Sequence, residues 1–74
     1  MNFPEKLLSL RLGRNLSQKK AAEGCKMSLR GYQNYERGER EPSMTKLVVL
    51  ADFYEVSIDE LVCREWPPAK GLQR

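Results

Sequence analysis

Apolar residues recur along this chain at three- and four-residue intervals, broken by short polar stretches. That period belongs to amphipathic helices, and no stretch shows the two-residue alternation of a strand. Asn2 opens the first element, with Pro4 at an early helical position and Glu5 at capping-box spacing. The pattern predicts a helix over 3–13, with Phe3, Leu7, Leu10 and Leu16 facing inward and Leu8 and Leu12 off that stripe. Gly13 and Asn15 supply residues that tolerate left-handed backbone. Ser17 caps a second helix, read over 17–24, with Ala21, Ala22 and Cys25 inside and Lys19 and Lys20 outside.

Ser28 and Gly38 bracket the most informative segment. Ser28 is a good N-cap, and Gly38 is a good residue for the left-handed position that ends a helix. At about 100° per residue, Leu29, Arg30, Gln33, Asn34 and Arg37 fall within roughly 140° of one another. Tyr32 and Tyr35 fall on the opposite side, flanked by Gly31. One face of this 28–37 segment buries rings. The other presents amides and guanidinium groups, the forks that fit guanine and adenine edges in a DNA major groove. Taken alone, the polar face is equally the ordinary solvated side of a surface helix. The turn of about four residues between the second and third helices gives a helix-turn-helix pattern.

The polar connector Glu39-Arg40-Glu41-Pro42 ends in a helix breaker. Ser43 caps a fourth helix over 44–54, with Leu47, Leu50, Ala51 and Tyr54 at core spacing. Ser57-Ile58-Asp59-Glu60 is a capping box for a fifth over 58–63. Trp66, Pro67, Pro68 and Gly71 preclude a regular helix afterwards. The expectation is an all-α fold of five short helices over 1–63, then an irregular tail over 64–74.

A length of 74 residues allows one small domain. No apolar run reaches the ~18 residues that span a bilayer, and no signal-peptide order opens the chain, so the expected location is the cytoplasm. Cys25 and Cys63, with no His, cannot make a zinc site, and in a reducing compartment two free thiols are expected. No metal or other cofactor is expected. The net charge of +3 is modest, but from Arg11 to Arg40 eight Lys or Arg face three Glu. That gathering of positive charge suits a polyanion, or serves solubility alone. No nucleophile–base pair or phosphate loop is legible, which argues against an enzyme.

Leu16-Ser17-Gln18, Ala22-Glu23, Ser28, Tyr35-Glu36-Arg37-Gly38, Arg40-Glu41-Pro42-Ser43, Leu50-Ala51 and Val56-Ser57-Ile58-Asp59-Glu60-Leu61 together resemble the phage-repressor-like helix-turn-helix domains of the Cro and XRE type. The resemblance, from about residue 3 to 62, implies a lambda-repressor-like five-helix domain acting as a transcriptional regulator, commonly a repressor and a homodimer on palindromic double-stranded DNA. It places Leu29, Arg30, Gln33 and Asn34 at base edges. Gln18 falls where the family bonds a phosphate and often braces a side chain of the third helix. Arg37 and Arg40 fall at phosphate-facing positions, beside Lys19. It also implies that Arg11 and Glu36 pair across the first and third helices. The chain departs from the family at Lys26 and Glu55, where glycine is usual, and at Ala21 and Cys25, where leucine is usual. The rival function is a protein-interaction module on the same fold, and control by a protein antagonist fits a domain with no room for an effector site. Val62 and Trp66, with Ile58, are available for a contact between two copies; the alternative is that Trp66 covers the core of one.

Overall fold

The computed structural model describes residues 1–63, and they form five helices. They are α1 (Phe3–Gly13), α2 (Gln18–Gly24), α3 (Leu29–Arg37), α4 (Met44–Tyr54) and α5 (Ile58–Leu61). The expected tail over 64–74, and the contact between copies placed at Trp66, lie outside the described residues. Every helix starts on a side-chain cap. The Asn2 side chain accepts from the Glu5 N–H, and Ser17, Ser28, Ser43 and Ser57 accept from Lys20, Gly31, Lys46 and Glu60. Ser17 is thus the cap of α2 rather than its first residue.

The first four helices end alike. Asn15, Lys26, Gly38 and Glu55 each take left-handed backbone, with φ of 57°, 57°, 74° and 58°. The N–H after each reaches back to a carbonyl five residues earlier: Leu16 to Arg11, Met27 to Ala22, Glu39 to Asn34 and Val56 to Ala51. This double-bonded stop satisfies carbonyls that the helix end would otherwise orphan. Only one of the four positions is glycine. Gly13 stays helical, and Asn15 takes the left-handed turn instead. At Lys26 and Glu55 a full side chain carries the conformational cost. Lys26→Gly is therefore expected to raise stability by a few tenths to about 1 kcal/mol, read from a urea midpoint. A lower midpoint would show that the Lys26 stem contributes packing worth more than the relieved backbone.

The last helix is shorter than 58–63. It stops at Leu61, because Cys63 turns left-handed with φ of 57° and its N–H bonds the Glu60 carbonyl. No glycine marks that turn, so the sequence hides it.

The core comprises Leu7, Ala21, Ala22, Cys25, Tyr32, Leu50, Ala51, Tyr54 and Leu61. The small residues of α2 leave room for the fully buried Tyr32 ring, with Tyr35 half-buried beside the core. The Tyr32 and Tyr54 hydroxyls bond each other at 2.6 Å, so both buried phenols have a partner. Burial first, then bonds with Tyr54 and Glu36, push the Tyr32 phenol far above its ordinary pKa. Gly24 is required by a close approach: a Cβ there would lie 2.3 Å from the Phe53 ring. Cys25 and Cys63 are both free, and burial pushes the Cys25 thiol up to about 11, which leaves it an inert packing residue at neutral pH. Leu8 and Leu12 are exposed, as their place off the stripe implies. Among the described residues no helix is long and apolar enough to cross a membrane.

Candidate nucleic-acid interface

The outer face of α3 is held from behind by a partly buried ion pair. Arg11 of α1 donates from Nε to Glu36 at 2.7 Å and from Nη2 at 3.2 Å. Its Nη1 bonds the Leu16 carbonyl at 2.8 Å. One guanidinium thus ties α1, the turn after it and α3 together. The side chains are 13% and 4% exposed. Burial alone would raise the Glu36 carboxyl, but bonds from Arg11, Gln18 and Tyr32 together hold it below the usual carboxylate range. The bond to Glu36 in turn strengthens the charge on Arg11.

A chain of amides runs outward from this pair. Gln18 Nε2 donates to Glu36 at 3.0 Å, and Gln33 Nε2 donates to Gln18 Oε1 at 3.0 Å. An ionised carboxylate only accepts, so Glu36 fixes which way the Gln18 amide faces. Gln18 is thereby engaged on both polar atoms within the domain. A phosphate contact from this position would use its second Nε2 hydrogen or its backbone N–H.

Leu29 and Arg30 lie in the first turn of α3, and both are exposed. Among the described residues the Arg30 guanidinium has no ion pair or hydrogen bond. Gln33 and Asn34 follow on the same side, half-buried. The Asn34 side-chain oxygen Oδ1 accepts from Arg37 Nη2 at 3.1 Å, so Asn34 supports Arg37. Arg37 also lies 3.3 Å from Glu39, an exposed pair that is easily exchanged for another anion. Lys19 and Arg40 are exposed, with no ion pair among the described residues. Leu29 is the apolar exception on this face, 41% exposed, and can read only an apolar group such as a thymine methyl.

Arg14, part of the positive charge counted above, has an internal role that the sequence does not announce. It donates to the Phe53 and Tyr54 carbonyls at 3.4 and 3.0 Å and lies over the Tyr54 ring. A cation there satisfies the last carbonyls of α4 and meets the negative end of its dipole.

A polar helix face braced by a partly buried salt bridge, behind a short helix and a four-residue turn, defines the helix-turn-helix class. The chain belongs to the helix-turn-helix family of the Cro/C1 (XRE) type, whose family model matches residues 7–61. It is 42% identical over 66 residues to the cryptic phage CTXphi transcriptional repressor RstR of Vibrio cholerae serotype O1, covering 89% of this chain and 58% of that protein. It is 40% identical over 65 residues to the HTH-type transcriptional activator BcrR of Enterococcus faecalis, covering 88% of this chain and 32% of the activator. The chain thus spans under two thirds of the length of the first of these relatives and about a third of the second. A crystal structure of a transcriptional regulator from Listeria innocua superposes with a TM-score of 0.76 at 36% identity, over 82% of this chain and 57% of that one.

Proposed function

We propose that this chain is a sequence-specific, double-stranded-DNA-binding transcriptional regulator, repressor-like in action, that reads the major groove with α3. It is a binding protein rather than an enzyme, and acts on DNA in the cytoplasm. The observation that carries the reading is Arg30: a guanidinium with no ion pair or hydrogen bond among the described residues, in the first turn of a helix whose register is fixed by the partly buried Arg11–Glu36 pair. The first turn of a recognition helix goes deepest into the groove. In this reading Leu29, Arg30, Gln33 and Asn34 meet base edges. Lys19, Arg37 and Arg40, with Gln18, meet phosphates.

The test is the salt dependence of binding to a labelled pool of genomic duplexes. Three cationic phosphate contacts per domain, from Lys19, Arg37 and Arg40, imply a log–log slope of about −2.7, from roughly −0.9 per neutralised phosphate on duplex DNA. The exposed Leu29 gives the rival protein-interaction reading its one foothold, and a module of that kind would show no such slope.

The functional unit we propose is a homodimer on two half-sites about one helical turn apart. Ile58 and Val62, half-buried near the end of the described chain, are the apolar residues available for that contact. Sedimentation at tens of micromolar should show a dimer on a two-half-site duplex; a strictly monomeric species with and without DNA would contradict it. Regulation by a protein antagonist suits this domain, whose interface is exposed.

A further inference from the structure

The amide chain from Glu36 to Gln33 has a direction, and that direction reaches the outer face of α3. The Glu36 side chain is 4% exposed, too deeply set to touch a base itself. Its partners Arg11, Gln18 and Tyr32 all donate to it. An ionised carboxylate has no hydrogen to give, so the Gln18 atom that meets it at 3.0 Å must be Nε2. The Oε1 of Gln18 then faces α3, and only the Nε2 of Gln33 can bond it there, at 3.0 Å. Turning over either amide would set two acceptor oxygens against each other at hydrogen-bond distance. Glu36 thus imposes the donor-to-acceptor order across two further side chains.

This chain uses one Nε2 hydrogen of Gln33. Among the described residues, its other Nε2 hydrogen and its Oε1 have no partner. Gln33 therefore offers one donor and one acceptor from the polar face it shares with Arg30 and Asn34. Adenine presents an acceptor at N7 and a donor at N6 in the major groove, and matches that pair. Guanine presents acceptors at both N7 and O6. It would need both Nε2 hydrogens, one of which is already engaged.

We propose that Glu36, acting through Gln18, sets Gln33 to accept adenine and reject guanine at one base position. Glu36 is then a positioning residue for base selection as well as a member of the ion pair. This rests on the reading of α3 as the DNA-facing helix, and names the base that one of its residues selects.

The test is competition between duplexes that differ at one base pair, built on a site selected by the full chain from a random pool. Gln33→Ala should make a single position indifferent, which identifies the position that Gln33 reads. There the parent should prefer adenine over guanine by about tenfold or more. Gln18→Leu should cut that ratio several-fold, because the Gln33 amide can then turn, while the preference that depends on Arg30 holds. Loss of a phosphate contact from Gln18 would weaken both duplexes alike and leave the ratio unmoved. The double variant Arg11→Met, Glu36→Gln removes both charges and strands neither. A Gln at 36 can donate as well as accept, so this variant should lower the ratio as Gln18→Leu does. Guanine bound as well as adenine by the parent would overturn the proposal, as would an unchanged ratio in Gln18→Leu or in the folded double variant. Selection that depends on Arg30 but at no position on Gln33 would overturn the proposal alone. A parent that selects no sequence would overturn the assignment of α3 to DNA, and the proposal with it.

Discussion

Glu36→Gln is expected to lower the stability of the domain by about 3 kcal/mol or more, because it leaves the Arg11 guanidinium buried without its counter-charge. Gln keeps the size of the side chain and an acceptor oxygen, so the loss reports the charge rather than a cavity. For a domain of this length, 1 kcal/mol shifts the melting temperature by about 4–8 °C, so a fall of more than 10 °C is expected. The geometry argues for a loss at the lower end of the range found for broken buried pairs, since the Leu16 carbonyl still accepts from Arg11 in the variant. Arg11 makes three bonds, two of them to Glu36, and its side chain is 13% exposed. The pH dependence follows from the direction of the Glu36 shift. Its folded pKa is depressed, so the unfolded chain binds the proton more readily as pH falls. The stabilisation is complete above the unfolded value of about 4.3, and is lost as pH falls through the folded one. The parent should lose stability steeply in acid, and Glu36→Gln should lack that part of the slope. A variant melt that matches the parent at neutral pH would mean that the pair breaks even against its desolvation.

Arg30→Ala is expected to lose about 1–3 kcal/mol on the cognate site and to relax preference at one base pair. A guanidinium can donate two parallel bonds to guanine O6 and N7, and no carboxylate among the described residues holds Arg30 back from doing so. The contrast with Arg37 makes the assignment sharp. Arg37 is already bonded to Asn34 and paired with Glu39, at the end of α3 rather than its start. Arg37→Ala should therefore weaken cognate and random duplexes about equally and reduce the salt slope by about one. Most protein–DNA hydrogen bonds go to the backbone, so the cognate-to-random comparison is the measurement that separates the two roles. Equal loss on both duplexes in Arg30→Ala would move Arg30 to the phosphates.

The five helices were legible because their starts are local chemistry. Asn2, Ser17, Ser28, Ser43 and Ser57 each cap the helix that follows, and a cap needs only residues within one turn. The two faces of α3 were legible for the same reason, since 3.6-residue spacing sorts side chains without any partner. Features that depend on distant residues were not. Gly24 reads as a helix end, yet it is fixed by the Phe53 ring. Arg14 reads as surface charge, yet it closes the end of α4. Asn34 and Arg30 share a face, but a rotamer choice gives Asn34 to Arg37. Cys63 ends α5 with no glycine to announce it, because the end bonds of a helix can hold a side-chain-bearing residue in left-handed backbone.

The central claim is that the outer face of α3 meets the DNA. Amide chemical-shift mapping of the full chain, titrated with a duplex selected from the genomic pool, tests it most directly. The account predicts that the largest shifts fall at residues 28–34, with smaller ones at Gln18, Lys19, Arg37 and Arg40, and almost none on the exposed side of α4 at Met44 and Val48. Shifts centred on Met44 and Val48, or on Leu8 and Leu12, with residues 28–34 unmoved, would contradict it.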